Sequence, residues 1–311
     1  MTLDQLRVFV AVAERQHVTQ AAVALNLAQS AVSGTIASLE ARYATKLFHR
    51  AGRGIALTEA GALFLVEARA VLARTEAAEL VLSELGGLKR GTLVVQASQT
   101  IASYWLPRHL VAFRRAYPGI GIRLTIGNTA QVAAAVQTGS AALGFVEGPI
   151  DYPDLARVQV ARDRLVIVVG SGHPWASRDQ VTAAQLLESD WVLREPGSGT
   201  RSVFEFALKR LGVAAGSLTV PLELPSNESV RAAVEAGMGA TALSASVAAP
   251  ALEAGLLHRV AIDLPERAFW AVTHPERRGG RAVETFLAMF AARGSNKTTA
   301  TAGRGSIGPA D

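Results

Sequence analysis

Cysteine is absent from all 311 residues of the chain. Disulfides, thiol nucleophiles and thiolate metal centres are therefore excluded. No apolar run reaches the roughly 18 residues needed to cross a bilayer, so no membrane partner is expected. The opening Met1-Thr-Leu-Asp-Gln-Leu-Arg lacks a basic segment followed by an apolar one and does not read as a secretory leader. A cytoplasmic location is the expectation. Metal-ligand spacings, a dinucleotide fingerprint and a phosphate loop of the Lys-Ser/Thr type are also missing, so no cofactor and no metal are expected. None of the six histidines falls in a catalytic motif, and the run Pro196-Gly-Ser-Gly is not a nucleophile elbow. A serine nucleophile would lack a base and an orienting partner, which argues against an enzyme. Charge of one sign is only in mild excess: the net charge is +5 and the pI about 9.9. That balance is compatible with a polyanionic partner and decides little alone.

The length suggests two or more domains of about 100–200 residues. Apolar residues recur at helical spacing from the start: Leu3, Leu6, Phe9, Val10, Ala13. A second helix is predicted from Gln20, with Thr19 as its N-cap. After a break at Asn26-Leu27-Ala28, a third runs from about Gln29 to Tyr43. Phe48 to Thr58 suits a small β-wing. A helix of roughly 40 Å then spans Thr58 to about Leu85, where Gly86-Gly87 ends it. Its stripe of Leu65, Ala68, Leu72, Leu82 and Leu85 needs another helix to bury it.

From Thr92 the period changes. Strands are predicted at Leu93–Ala97, Ile122–Ile126, Ala142–Val146, Leu165–Val169, Trp191–Arg194, Thr219–Leu224 and Ala240–Leu243, with helices between. This alternation implies an α/β region with a mainly parallel sheet. The tail from Gly294 has no apolar periodicity and is expected to be disordered.

Two short helices, a tight break and a wing match helix-turn-helix geometry. The third helix is the expected reader. Its outward face offers Gln29, Ser30, Ser33, Thr35, Ser38 and Arg42, with Thr19 on the preceding helix. Such short polar groups bond phosphates and base edges. His49, Arg50 and Arg53 in the wing supply charge for the flanking backbone.

Two later loops stand out: Ser98-Gln-Thr-Ile, and Glu195-Pro-Gly-Ser-Gly-Thr-Arg. Each places hydroxyls and free backbone N–H groups at a helix start, an arrangement that attracts anions. Arg201 could add a bidentate contact. The same residue types also serve simply as helix caps.

The run Phe9-Val-Ala-Val-Ala-Glu…Thr19-Gln-Ala-Ala…Gln29-Ser-Ala-Val-Ser…Ile36…Leu39-Glu…Leu47-Phe-His-Arg…Leu57-Thr-Glu-Ala-Gly resembles the LysR-type transcriptional regulators. Glu195-Pro-Gly-Ser-Gly-Thr-Arg is similar to the branch containing regulators of sulfur assimilation and carbon fixation. The resemblance implies an α+β multidomain chain. It would have an N-terminal winged helix-turn-helix (1–58), a long linker helix that dimerises (59–90), and a C-terminal two-lobed α/β effector-binding domain like periplasmic binding proteins (91–294). Lobe I would comprise 91–162 and 267–294, and lobe II 163–266, with crossings near Arg162–Arg164 and Leu264–Ala268. Residues 295–311 would form the tail.

It also implies an effector cleft lined by Ser98, Gln99, Thr100, Asn128, Thr129, Glu147, Ser198, Gly199, Thr200, Ser226 and Asn227. The implied partners are double-stranded promoter DNA, a small anionic or carboxylate effector, further copies of the chain as a homodimer or homotetramer, and RNA polymerase. Gly34 and Thr35 stand where the family often has Arg and Gln, so base contacts cannot be carried over there. Ala44 stands where a Gly is usual. A solute-binding protein for transport is the rival for the α/β half, against which the attached head argues.

Overall fold

The computed structural model describes residues 1–51, 54–85, 91–178, 180–277 and 280–295. Arg53, Gly86-Gly87 and the tail from residue 296 lie outside the described residues. The chain forms two compact units, an N-terminal one and a larger C-terminal one that begins at Ser83.

The first unit starts with α1 (Leu3–Arg15), whose first turn is closed by a capping box between Thr2 and Gln5. α2 (Val18–Leu25) begins two residues earlier than expected. His17 occupies the cap position without a side-chain bond, and Thr19 lies exposed in the first turn instead of capping it. Asn26 closes α2 in the left-handed region (φ 54°), where a short polar side chain is tolerated. α3 (Gln29–Arg42) follows, then β1 (Phe48–Ala51) paired antiparallel with β2 (Gly54–Leu57) as the wing.

The core of this unit is Leu6, Phe9, Leu39 and Leu47, with Phe9 packed 5.4 Å from Phe48 and 4.7 Å from Phe64. Phe64 belongs to α4 (Glu59–Leu85), capped by Thr58, whose Oγ1 accepts the Gly61 N–H at 3.0 Å. Part of the predicted α4 stripe is used inside the unit: Ala68 is buried, and Leu65 and Leu72 pack on the same core. A different apolar face, Leu63, Val66 and Val71, is exposed. Those three residues fall within one side of a 3.6-residue helix.

The second unit is one twisted sheet flanked by helices. Its strands are β3 (Gly91–Ser98), β4 (Ile120–Gly127), β5 (Leu143–Glu147), β6 (Ala156–Gly170), β7 (Asp190–Arg194), β8 (Thr219–Leu224), β9 (Ala240–Ser244), β10 (Leu257–Arg259) and β11 (Glu266–Thr273). The helices are α5 (Pro107–Ala116), α6 (Thr129–Thr138), α7 (Gly199–Arg210), α8 (Asn227–Glu235), α9 (Ala245–Glu253) and α10 (Gly280–Ser295), with a π-turn at Ile101–Trp105. The spatial order is β4-β3-β5-β11-β6-β9-β7-β8, with β10 also on β6.

The expectation of a mainly parallel sheet needs correcting. The flanks are parallel (β3 with β4 and β5, β7 with β8 and β9), but the middle strands β5-β11-β6-β9 are antiparallel neighbours. The reason is topological: β6 leaves the first half of the sheet and β11 returns to it, so the two run in opposite directions. Arg162 and Arg164 lie opposite Ala268 and Glu266 in one ribbon.

Each half has its own core. Leu93, Val95, Phe113, Phe145, Phe269 and Phe286 fill the first. In the second, Leu165, Ile167 and Val169 of β6 face Trp191 and Phe204, while Val166 and Val168 face Val230, Leu243 and Val247. This alternation is what a strand buried on both faces requires.

Candidate nucleic-acid interface and ligand cleft

In the head, α3 buries Val32, Leu39 and Glu40 and exposes the opposite side. Gln29, Ser30, Ser33, Ser38 and Arg42 are exposed, as is Arg50 on the wing. Thr35 is half-buried at the border of the packed face, so the structure removes it from the centre of the outward surface. Helical angles put Ser30, Gly34, Ala37 and Ala41 at that centre. A Cβ at Gly34 would meet nothing within 4 Å, so glycine there is not a packing requirement. The middle of the reading face is therefore small and uncharged, with Arg42 beside it over the Tyr43 ring at 5.7 Å.

Glu40 fixes the wing to this helix. Its Oε1 accepts the backbone N–H groups of Leu47 (2.9 Å) and Phe48 (3.2 Å), and its Oε2 receives Lys46 Nζ at 2.6 Å. Burial opposes the charge, but these hydrogen bonds and the Lys46 ammonium hold the carboxyl below the usual range. Between α3 and the wing, Ala44 adopts φ 48°. A left-handed residue with a Cβ is strained, so glycine would relieve the backbone there.

The expected cleft residues meet in a seam between the two halves of the sheet. Ser98, Thr100, Thr129, Glu147, Ser198, Gly199, Thr200 and Asn227 are buried; Gln99, Asn128 and Ser226 are half-buried. At the seam's centre Glu147, 2% exposed at the end of β5, accepts Ser98 Oγ on one oxygen and Thr200 Oγ1 (3.5 Å) on the other. The Glu147 carbonyl accepts Thr129 Oγ1 at 2.8 Å. Asn227 donates to Thr100 Oγ1 (3.0 Å) and, through its backbone, to Gln99 Oε1 (2.7 Å). Asn128 Nδ2 reaches Glu195 Oε1 at 3.2 Å.

Gly199 is pressed against the opposite half: a Cβ there would lie 2.0 Å from the Glu147 carbonyl. No other residue fits that approach. Ser198 and Ser226 act as helix caps, accepting the N–H groups of Arg201 (3.5 Å) and Ser229 (3.0 Å). Arg201 does not serve the seam as expected. Its guanidinium is held by Glu205 (2.8 Å), Glu223 and the Arg194 carbonyl (3.0 Å).

Five seam residues were missed by sequence reasoning. Arg267, 4% exposed on β11, donates from Nε to Asp163 (2.8 Å) and from Nη1 to Thr200 Oγ1 (3.0 Å), with Nη1 3.8 Å from Glu147 Oε1. Its Nη2 lies 2.7 Å from Asp163 Oδ2 as an ion pair but outside hydrogen-bond angles. Asp163 also accepts Ser244 Oγ at 2.9 Å. Arg194 forms a bidentate pair with Glu195 (2.8 and 3.0 Å) and donates to Asn227 Oδ1 at 2.7 Å. Glu228 accepts Gln99 Nε2 (2.8 Å) and Tyr104 Oη (3.1 Å) across the seam. Burial, with the Glu228 charge and hydrogen bond, raises the Tyr104 hydroxyl above its ordinary value. A signal existed for Arg267, a charge at the head of the apolar run Ala268-Phe-Trp-Ala-Val. None existed for Tyr104 or Glu228, which read as ordinary helix residues.

Comparison with known proteins bears on both regions. The model of the bacterial regulatory helix-turn-helix protein, lysR family, matches residues 3–62, and that of the LysR substrate binding domain matches residues 86–295. The chain is 34% identical over 289 residues to the Escherichia coli K12 protein described as an uncharacterized HTH-type transcriptional regulator, YeiE, covering 92% of this chain and 96% of that one. It is 31% identical to the probable RuBisCO transcriptional regulator of Porphyra purpurea, covering 96% of each. Among solved structures, CbnR, described as a LysR family transcriptional regulator, has a TM-score of 0.71 at 21% identity, over 94% of this chain and 99% of that one. The regulatory domain of Synechocystis PCC6803 CcmR in complex with 2-PG gives 0.60 at 28% identity, over 67% of this chain and 99% of that one.

Proposed function

The chain belongs to the LysR family of bacterial transcriptional regulators, and from that premise we propose how its parts divide the work. It is a DNA-binding regulator with an effector-binding domain, not an enzyme. Residues 1–58 read promoter DNA in the cytoplasm. α3 lies in a major groove, with Gln29, Ser30, Ser33, Ser38 and Arg42 facing the duplex, Thr35 at the edge, and Thr19, Arg50 and Arg53 on the flanking backbone. Residues 59–90 dimerise the chain, and the exposed Leu63, Val66 and Val71 supply the apolar contact. Pairs of dimers make the tetramer, and RNA polymerase is the downstream partner.

Residues 91–294 sense a small anionic metabolite in the seam, with lobe I as 91–162 and 267–294 and lobe II as 163–266. Ser98, Gln99, Thr100, Asn128, Thr129, Glu147, Ser198, Gly199, Thr200, Ser226 and Asn227 surround it. The starts of α6, α7 and α8 aim backbone donors and positive dipole ends there. The observation that carries this reading is that the seam closes on hydrogen bonds running from one half to the other: Thr100 with Asn227, Asn128 with Glu195, and Glu228 with Gln99 and Tyr104. A ligand that enters must exchange those bonds for its own. It thereby biases the angle at the β6–β11 ribbon and the spacing of two reading heads.

Two experiments test the proposal. Selection from fragmented genomic DNA at low salt should recover a discrete set of upstream regions; recovery of none overturns the DNA assignment. Calorimetry of the full chain against sulfite, sulfate, O-acetylserine and phosphorylated sugars should find a ligand whose binding is lost in Thr100→Ala. If no anion binds, and Thr100→Ala and Ser198→Ala are silent in a promoter reporter, the sensor assignment falls.

A further inference from the structure

The ionisable groups of the seam are out of balance. Four carboxylates (Glu147, Asp163, Glu195 and Glu228) face the guanidiniums of Arg194 and Arg267, with Arg231 acting on the Tyr104–Glu228 corner. Each guanidinium already has a carboxylate in close contact: Arg194 holds Glu195 with two hydrogen bonds, and Arg267 holds Asp163. Glu147, 2% exposed, is the most deeply buried of the four and has no close guanidinium hydrogen bond. Arg267 Nη1 stands 3.8 Å from it, and its hydrogen-bond donors are the hydroxyls of Ser98 and Thr200. A carboxylate this deeply buried is costly unless donors saturate it. A hydroxyl can turn from donor to acceptor without moving its oxygen. Ser98 and Thr200 can thus release Glu147 to an incoming donor and still find a partner.

A second, independent feature adjoins it. Arg267 Nη2 is buried and makes no hydrogen bond of acceptable angle, although it sits in ion-pair range of Asp163. One residue pair therefore offers an unsaturated acceptor and an unspent donor side by side. A bare anion uses only the second. A molecule carrying a hydroxyl or ammonium group beside its acid group uses both.

We infer that the effector is a small acid bearing a hydroxyl or amino group next to the acid, and that Glu147 is the residue that selects for that donor. The inference rests on the seam being the effector site. It narrows the anion of that reading to a hydroxy or amino acid class. Glu147 acts on specificity, since its contact distinguishes ligands that differ by one polar group.

Calorimetry on the full chain with two matched sets tests this. Propionate, lactate and alanine share a skeleton and differ only in H, OH or NH3+ at one carbon; succinate, malate and aspartate do the same. A hydrogen bond to a buried charge is worth roughly 10–100-fold in affinity, so the hydroxyl or amino member of at least one set should bind tighter than its deoxy twin by that factor. In Glu147→Gln the preference for the ammonium member should fall to near unity while the deoxy member binds as before. The wild-type ranking needs no variant, so misfolding of that substitution does not shield the inference.

Equal or tighter binding by propionate and succinate overturns it. Binding by inorganic sulfate or phosphate with no member of either set also overturns it, and leaves the anion-sensing reading standing. Silence from every probe also overturns it, and leaves the anion-sensing reading to the phosphorylated sugars and the promoter reporter.

Discussion

The reading face of α3 and the seam of the C-terminal domain treat polar groups in opposite ways. On α3 the serines, Gln29 and Arg42 stand exposed. In the seam the hydroxyls, amides and carboxylates are buried or half-buried and bonded to one another, several of them across the two halves. The first surface suits a partner that arrives whole, finding the face already in place and contributing its own phosphates and base edges. The second suits a partner that must displace existing bonds, so that binding and conformational change are one event. A regulator needs both: a rigid output surface and an input site with two states.

The sharpest way to break this contrast is to remove one charge from each side. Arg267→Met strands Asp163 and Glu147 in the interior. Losing one member of a buried ion pair costs about 3–5 kcal/mol, so thermal unfolding should reveal a strongly destabilised C-terminal unit. A loss below about 1 kcal/mol would mean that solvent screens this pair as it does a surface ion pair.

Next in size is Glu40→Ala, which leaves the Leu47 and Phe48 N–H groups without their acceptor, at about 1–3 kcal/mol. The folded carboxyl titrates below the ordinary carboxylate value. Its contribution is therefore fully present above that value and is lost as pH falls through the lower folded value. Wild type should lose stability on acidification in that range and Glu40→Ala should lose less. Parallel acid limbs would show that the carboxylate does not anchor the wing.

A gain is expected from Ala44→Gly, because relief of a left-handed residue is worth about 1 kcal/mol. Denaturant titration of the head should show a higher midpoint with an unchanged slope. Smallest in stability is Arg50→Ala on the exposed wing, within about 0.5 kcal/mol. Its effect should appear in DNA binding: weaker affinity across sequences, with the salt dependence shallower by about one ion. An unchanged salt slope would remove Arg50 from the interface.

Much of this was open to inspection in the residues. Caps, periodicity and turn formers are local, so Thr58, Asn26, the three helices of the head and the apolar strands could be placed from the chain alone. The errors have physical causes. Thr19 reads as a cap by composition, but α2 gains two residues because it starts at Val18 with His17 at the cap position. The first half of β6, Ala156–Arg164, carries Arg157, Gln159, Arg162, Asp163 and Arg164, so no apolar run marks it as a strand. It is a strand because β11 supplies its hydrogen bonds.

The α4 helix teaches the same point. Its length and start were legible, but the stripe Leu65, Ala68 and Leu72 proved to belong largely to the head's own core. The apolar face left exposed is Leu63, Val66 and Val71. Periodicity identifies apolar faces; it cannot say which neighbour covers each.

By itself the sequence determined that this chain carries a helix-turn-helix head, a long helix and an α/β domain with two loops rich in hydroxyls and glycine. It also excluded thiol chemistry outright. Only the tertiary structure decided that those loops meet in one seam, that Arg267 joins Asp163 and Glu147 there, that Glu228 receives Tyr104, and that Arg201 is turned elsewhere. The reason is the range of the interactions. A cap or a stripe involves residues three or four apart, whereas the Arg267–Asp163 pair joins residues 104 positions apart and the Tyr104–Glu228 bond 124. No local pattern encodes a contact that exists only after the chain has crossed the sheet and returned.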